Sequence, residues 1–189
     1  MTRLDIVALC GSLRSASYNR MLLRLAVECA PPTMDVDVLD WREVPVFDGD
    51  VFAQGLPAPV AALKARIARA DGVLIVTPEY NFSVPGGLKN VLDWLSRGDD
   101  QPWIMKPVAI ASASGGPVGG ARMQYDLRKV LLYLNALVLA KPEVFCSMAQ
   151  TKFDAASGRC TDETTRKFAT DLMAAFERWV AGVARMKAR

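Results

Sequence analysis

The chain has 189 residues, a formal net charge of +3 and no histidine. Without an imidazole it can form no Ser-His-Asp or Cys-His nucleophilic centre and no histidine-based zinc site. The charge is too small to indicate a nucleic-acid partner, and the length predicts a single domain over residues 1–189.

Cysteine usage and hydropathy indicate where the protein works. The cysteines are Cys10, Cys29, Cys146 and Cys160. They are far apart in sequence, so they predict neither a disulfide framework nor a metal site. The N-terminal residues lack a secretory hydrophobic region, and no apolar run approaches the roughly 20 residues that span a bilayer. We therefore expect a cytoplasmic protein with reduced thiols, no metal and no membrane partner.

The N-terminal part of the chain alternates between short apolar runs and helical spacing. A β-branched run predicts a strand over 4–9, and apolar residues three and four apart predict a helix over about 18–30. Strict alternation over 34–39 is typical of an edge strand with one buried face. Pro and Gly residues mark 41–59 as a loop, and helical spacing resumes over 60–70.

The rest of the chain continues this alternation. Residues 72–77 and 107–113 are apolar on both faces, as expected for central parallel strands. The last strand is predicted at 136–139, with a candidate resumption at 144–145. Helical spacing is present over 88–95, 123–134 and 168–183. Five strands alternating with five helices predict a doubly wound α/β domain.

The loop after the first strand, 11–19, combines a turn glycine, three serine hydroxyls and Arg14 just before a helix. Backbone N–H groups and the helix dipole at such a position favour an anion, and a guanidinium adds donors suited to phosphate. An ordinary polar turn with Ser17 as the helix N-cap explains the same residues equally well. The segment matches neither GxxxxGK[ST] nor GxGxxG, so no nucleoside triphosphate cradle or dinucleotide fingerprint is present.

The loops after the third and fourth strands are also candidates for ligand binding, because ligands of doubly wound sheets bind at the carboxyl ends of the strands. The loop 77–87 is stiffened by two prolines and carries two aromatic residues, which suits a planar ring. Glu79 in this loop is expected to position other groups and not to act as a general acid, since no second carboxylate lies nearby in sequence. The loop 112–120 contains four glycines, which indicates backbone lying against something flat. Together the loops predict a phosphorylated flat cofactor, a mononucleotide.

Three segments resemble the NADPH-dependent FMN reductase family, closest to its bacterial quinone and chromate reductase branch. They are Gly-Ser-Leu-Arg-Ser-Ala-Ser-Tyr-Asn at 11–19, Thr-Pro-Glu-Tyr-Asn with Ser-Val-Pro-Gly-Gly-Leu-Lys-Asn at 77–90, and Gly-Gly-Ala-Arg at 119–122. The resemblance covers nearly the whole chain. It implies a flavodoxin-like five-stranded parallel sheet of order 2-1-3-4-5, with helices on both faces and noncovalent FMN at the carboxyl edge.

The resemblance also implies the activity and the site. The expected enzyme takes a hydride from NADPH or NADH and passes two electrons through FMN to quinones, chromate, azo compounds or free flavin. The flavin carries the chemistry, so no protein residue is expected to be catalytic. The residues implied for the FMN phosphate are Ser12, Arg14, Ser17 and Asn19. Those implied for the flavin ring are Pro78, Glu79, Tyr80 and Asn81 on one side and Ser114, Gly115 and Gly116 on the other. Tyr18 and Phe82 complete the predicted cofactor-binding set.

Assembly and function class are the remaining inferences from the sequence. The resemblance implies a homodimer or homotetramer, with Arg122 and Tyr125 contacting a partner subunit or the nicotinamide, or serving as ordinary surface residues. Gly115 stands where relatives carry a larger side chain, which affects the width of the cavity over the ring. The alternative function is a flavodoxin-type electron carrier. Arg14 and the net charge of +3 favour the reductase, because such carriers bind phosphate with uncharged loops and have acidic surfaces.

Overall fold

The computed structural model describes residues 3–188, which form six strands and six α-helices. The strands are β1 (Leu4–Cys10), β2 (Met34–Leu39), β3 (Gly72–Val76), β4 (Pro107–Ala113), β5 (Leu137–Val138) and β6 (Val144–Cys146). The helices are α1 (Tyr18–Glu28), α2 (Gly49–Ala53), α3 (Ala58–Arg69), α4 (Gly86–Leu95), α5 (Ala121–Tyr133) and α6 (Glu163–Lys187), with a 3₁₀ turn at Ala149–Thr151. The predicted alternation of strands and helices is confirmed.

The strands form one parallel sheet in the order β2-β1-β3-β4-β5, which confirms the predicted flavodoxin-like order. Strand β6 also pairs with β4, beyond β5 along the same edge. Leu137 lies opposite Pro107, and Val144 lies opposite Ala111. The last predicted strand is therefore present as two short pieces.

Two apolar layers hold the helices against the sheet. Strands β3 and β4 are buried along their whole length, whereas β2 is partly exposed, as expected for an edge. Helices α1 and α6 cover one face. Helix α6 packs so closely that a Cβ on Gly72 would lie 2.9 Å from both Phe176 and Val180. Helices α3, α4 and α5 cover the other face, so apolar burial on both sides stabilises the sheet.

The structure corrects the sequence analysis at two helices. Helix α2 lies inside the predicted loop 41–59. It buries no side chain and is stabilised locally by Asp48, whose carboxylate accepts from the Asp50 N–H at 2.8 Å, so it has no apolar face for a periodicity search to find. Helix α6 begins at Glu163, several residues before the predicted start, because its polar first turn is capped by Asp162. No helix within residues 3–188 is both long and apolar enough to cross a membrane.

Candidate functional site

The loops that follow β1, β3 and β4 converge on one cavity of about 230 Å³ at the carboxyl edge of the sheet. Its lining consists of Ser12, Arg14, Ser17, Tyr18, Asn19, Pro78, Glu79, Tyr80, Ala113, Ser114 and Gly115. Three predicted residues, Asn81, Phe82 and Gly116, belong to the same loops without lining this cavity. Ala113 lines it without having been predicted. The three predicted loops therefore meet at one cavity, and the binding of a cofactor by their residues stays a prediction.

The loop after β1 leaves several hydrogen-bond donors without a protein partner. The backbone N–H groups of residues 13–16 donate to no other backbone group within residues 3–188. Ser17 caps α1 by accepting the Asn19 N–H at 3.2 Å. Arg14 donates to the Ala16 carbonyl at 2.5 Å and lies 6.0 Å from the Tyr18 ring centroid. The N-cap role predicted for Ser17 is confirmed, and the free N–H groups beside it make the loop suitable for an anion as well.

Asn19 joins the loop after β1 to the end of β4. Its side-chain amide donates to the Ala113 carbonyl at 2.8 Å, and its side-chain oxygen accepts the Ala113 N–H at 2.8 Å. Asn19 is buried, so this pair of bonds is shielded from water. The sequence indicated a phosphate contact for Asn19, which stays a prediction. The positioning role depends on a contact between distant segments that no local pattern encodes.

The loop after β3 makes a tight turn that presents aromatic side chains. Tyr80 and Ser83 exchange backbone hydrogen bonds at 3.0 and 3.1 Å around Asn81 and Phe82. Asn81 and Phe82 both have positive φ, 49° and 68°. Asparagine tolerates this conformation, but for phenylalanine it is unusual and must be held by its surroundings. The turn leaves Phe82 66% exposed at the rim of the site.

The Glu79 carboxylate helps to hold the turn at residues 80–83 in place. Its carboxylate is only 8% exposed, forms an ion pair with Arg122 at 2.5 Å and accepts the Met123 N–H at 3.3 Å. Helix α5 has Gly120 at its N-cap and no side-chain cap of its own, so Glu79 supplies negative charge to its first turn. The Arg122 guanidinium in turn lies 3.8 Å from the Phe82 ring centroid, in cation–π geometry. The structure thus supports the positional role expected of Glu79, with Arg122 linking it to Phe82.

The glycine-rich loop after β4 is tied down along its length. The Ser114 N–H donates to the Cys146 carbonyl at 2.9 Å, and the Met148 N–H donates to the Gly116 carbonyl at 3.1 Å. A Cβ on Gly119 (φ 65°) would lie 2.7 Å from the backbone of the β6 segment, so this glycine permits close contact between the two segments. A Cβ on Gly115 would meet only the Gln150 side chain, at 3.4 Å, which leaves room for a larger residue.

A buried polar pair behind this loop was missed by the sequence analysis. Gln124 donates to the Ser112 hydroxyl at 2.8 Å and to the Val144 carbonyl at 2.9 Å. The Ser112 hydroxyl donates to the Gly119 carbonyl at 2.6 Å. The signal that could have revealed it is a glutamine on the apolar face of α5, beside Met123 and Leu127.

A second cavity of about 300 Å³ adjoins the first and shares Ser12, Arg14 and Tyr80 with it. Trp41 and Gly87 form part of its lining. A Cβ on Gly87 would lie 2.9 Å from the Trp41 ring, so the glycine permits the tryptophan to pack closely against this loop. Trp41 was missed because it lies in the segment after edge strand β2, which the sequence predicted as an ordinary loop.

The chemistry of these donors fits FMN. Free N–H groups, serine hydroxyls and Arg14 suit a phosphate dianion, and Ser12 connects the two cavities. The exposed aromatic residues and the glycine-rich backbone at the other end suit a flat ring. The backbone N–H groups of Asn81 and Gly115 donate to no backbone acceptor within residues 3–188, so donors are also available for ring carbonyls.

Comparison with known proteins agrees with this geometry. The sequence model of the family described as NADPH-dependent FMN reductase matches residues 4–151. The chain belongs to this family. A quinone reductase of Escherichia coli (strain K12) is 46% identical over 183 residues, which cover 96% of this chain and 97% of that protein. An NAD(P)H-dependent FMN reductase of Pseudomonas aeruginosa is 42% identical over 177 residues, covering 94% and 95%.

A solved structure extends the comparison to the fold. The flavoenzyme FerB, an NAD(P)H:(acceptor) oxidoreductase from Paracoccus denitrificans, superposes with a TM-score of 0.86 at 33% identity. The match covers 95% of this chain and 98% of that one. The family, the fold and the enzyme class expected from the sequence are confirmed, and the expected cofactors, FMN and NAD(P)H, are those of the family.

Proposed function

We propose that this protein oxidises NAD(P)H and transfers both electrons, by way of bound FMN, to a quinone. The observation that carries this proposal is the single cavity in which phosphate-type donors meet a ring-type surface. When bound, FMN supplies the hydride acceptor and the electron source, which is why a chain without histidine can perform the reaction. The names of the E. coli and P. aeruginosa relatives support the same reaction class.

The chain's own residues bind and orient the cofactor. Ser12, Arg14 and the free N–H groups of residues 13–16 hold the phosphate, and Ser17 fixes the start of the helix behind it. Pro78 and Tyr80 border the ring on one side and Ser114 and Gly115 on the other. Asn19 sets the distance between the two ends of the site through its bonds to Ala113. Glu79 and Arg122 hold the turn that carries Phe82.

The electron acceptor is an aromatic or conjugated molecule on this proposal. Tyr80 and Phe82 are exposed at the rim, so they offer a flat apolar surface against which a quinone can stack. A surface that binds acceptors mainly by stacking discriminates weakly between them. Azo compounds and free flavin are therefore included as further acceptors, and the proposal extends to chromate because the family resemblance implies it.

The wider setting is part of the same proposal. We place the protein in the cytoplasm, as one flavin-binding domain over residues 1–189 that assembles as a homodimer or homotetramer. Leu132 and Tyr133 at the end of α5 are 76% and 85% exposed, which supports burial of this surface against another subunit.

Three thiols, Cys10, Cys146 and Cys160, have pKa values raised by burial, which supports a reduced state.

Reconstitution tests the proposal directly. Purified protein mixed with FMN and passed through a desalting column should retain flavin absorbance. Addition of NADPH should bleach it, and excess quinone should restore it while many equivalents of NADPH are consumed. Protein that retains no FMN contradicts the proposal. Retained flavin that NADPH reduces only in the presence of a separate reductase supports the electron-carrier alternative.

A further inference from the structure

The second cavity, of about 300 Å³, has no role in the proposed binding of FMN beyond the residues that it shares with the first. The residues that line it and not the first cavity are Gly11, Leu13, Trp41, Pro85, Gly86 and Gly87. Its volume is in the range of small-molecule pockets in proteins. The cavity therefore has room for a group that the flavin site does not use.

The lining of this cavity is almost free of charge. Among the described residues that line it, Arg14 alone is charged, and its guanidinium donates to the Ala16 carbonyl and is assigned to the FMN phosphate. A third cleft, of about 240 Å³ beside β2, is lined by Arg20, Asp40 and Arg42 and differs in this respect. A lining of carbon atoms and backbone favours an apolar group, because a charged ligand would lose its hydration without gaining a counterion.

Trp41 gives the cavity a fixed wall. Its side chain is buried, and its indole N–H donates to the Cys10 carbonyl at 2.8 Å. Its ring lies so close to α4 that a Cβ on Gly87 would be 2.9 Å from it. An indole has one donor and no acceptor, so with this donor satisfied inside the protein the ring offers only carbon to a ligand. The wall is therefore shaped before a ligand binds, and little free energy is lost to the ordering of this side chain.

Tyr80 connects this cavity with the surface proposed for the electron acceptor. It lines both cavities, and its side chain is 50% exposed. An acceptor that stacks on Tyr80 therefore has one edge beside the second cavity. A chain attached to that edge can enter the cavity, and each methylene buried there strengthens binding about threefold.

We propose that the second cavity is a subsite for an alkyl or prenyl chain carried by the electron acceptor, and that glycine at position 86 keeps it open for this chain. A Cβ on Gly86 would meet no atom within 4 Å, so the space beside this residue is free. The inference rests on the proposed function, because it adds a preference for chain-bearing quinones to the reaction proposed above.

Kinetics with a homologous series of quinones test the proposal. The series runs from the 2-methyl to the 2-butyl derivative of 1,4-benzoquinone. In the FMN-loaded protein, kcat/KM for the quinone should rise about threefold for each added methylene. Gly86→Leu fills the cavity and should abolish this rise, with kcat/KM for unsubstituted benzoquinone unchanged. Gly49→Leu should keep the rise. It is the matched control, because Gly49 is also the first residue of a helix and a Cβ there would also meet nothing within 4 Å.

Binding to the flavin-free protein gives a readout that needs no turnover. Calorimetry should show that 4-butylphenol binds about 30-fold more tightly than 4-methylphenol, since three methylenes are added. Gly86→Leu should remove this difference, and Gly49→Leu should keep it. FMN retention is scored separately by absorbance, so failure of the proposed function is distinguished from failure of the chain subsite.

A second variant covers the case in which Gly86→Leu does not fold. Gly86→Glu places a carboxylate in the first turn of α4, which has no acidic residue of its own and where the helix dipole favours negative charge. This variant should also abolish the dependence on chain length, because a charge in the cavity opposes the burial of apolar groups beside it.

Four results would overturn the proposal. One is equal kcat/KM for all chain lengths in the unmodified protein. Another is a dependence on chain length that both Gly86 variants retain. A loss in Gly86→Leu that is equal for benzoquinone and its butyl derivative also contradicts the proposal. Finally, 1-butanol that binds the flavin-free protein as tightly as 4-butylphenol would assign the cavity to a free aliphatic ligand, with no contact between the acceptor ring and Tyr80.

Discussion

Arg14 and Arg20 lie on either side of Ser17, the residue that caps α1, and their guanidinium groups have different surroundings. Arg14 bonds to the Ala16 carbonyl and lines the cavity formed by the three loops. Arg20 faces the cleft beside β2 and makes no ion pair among the described residues. One short segment therefore presents two permanent positive charges to two neighbouring clefts.

Substitution of Arg14 tests the first of these contacts. We expect Arg14→Gln to weaken FMN binding by about 1.5–3 kcal/mol, because a hydrogen bond to a charged group contributes on that scale. Fluorescence titration of the flavin-free protein with FMN measures the effect. Arg69→Gln, at the end of α3 and outside the cavity, serves as the matched control and should leave the affinity unchanged. Equal affinities in both variants would place the phosphate elsewhere.

Among single residues, Arg14 was predictable because it lies in a contiguous loop whose chemistry can be read locally. The position of Arg20 in a cleft was not, because Asp40 and Arg42, which complete that cleft, come from a different strand end. Asn19 was predicted as a site residue, but its bonds to Ala113 link segments 94 residues apart. Local patterns therefore identify which residues are near the site and give little information about which residues they contact.

At the scale of elements, the site depends on how α5 is attached to the loop after β3. Helix α5 lacks a side-chain cap of its own, and the Glu79 carboxylate reaches its first turn from another element. The Arg122 guanidinium, from that same turn of α5, contacts both Glu79 and Phe82. A helix N-terminus and a tight turn with positive φ therefore stabilise each other through one ion pair.

Removal of this carboxylate should cost stability. We expect Glu79→Ala to lower the free energy of unfolding by about 1–2 kcal/mol, because the first turn of α5 loses its capping charge and Arg122 loses its partner. Urea denaturation followed by circular dichroism measures the change. Glu43→Ala, an exposed position after β2, should have no comparable effect. A double-mutant cycle with Arg122→Ala should give a clear coupling energy, and strict additivity would contradict the argument.

The sequence predicted those helices and strands that have a periodic pattern of apolar residues. The central strands β3 and β4 were recognised because they are apolar on both faces, and the strand order followed from the family resemblance. Helix α2 was missed because it buries no side chain and has only a local cap. Trp41 was missed because the segment after an edge strand carries no periodic signal, although its indole donates to the Cys10 carbonyl at 2.8 Å.

At the scale of the whole molecule, the two edges of the sheet have different roles. The carboxyl edge carries the clefts. At the amino edge, Lys106 is buried and its ammonium donates to the carbonyls of Ala68 and Ala70 at the end of α3. Burial, together with the nearby positive charge of Lys187, lowers the pKa of Lys106 from its ordinary value to about 8. This group therefore affects folding without touching the site.

The lowered pKa of Lys106 predicts a pH-dependent stability. Between about pH 8 and 10.5 the unfolded chain binds the lysine proton more strongly than the folded one, so the contribution of Lys106 to the unfolding free energy rises with pH. The rise across this window should be on the order of 2–3 kcal/mol. Urea denaturation of the unmodified protein and of Lys106→Met, taken as a difference at each pH, isolates it from other titrating groups. Lys129→Met, exposed on α5, controls for the loss of one positive charge. A difference that does not vary with pH would contradict the prediction.

The two hydrogen bonds between Asn19 and Ala113 have a consequence for the kinetics of cofactor loading. They connect the phosphate end of the site to the ring end before any ligand arrives, and both bonds are made by buried groups. The binding site is therefore already ordered in the protein without FMN. Little free energy is lost to the ordering of loops when FMN binds. Capture of the cofactor should then proceed by simple second-order binding, at a rate set by encounter and orientation, with no slow folding step in between.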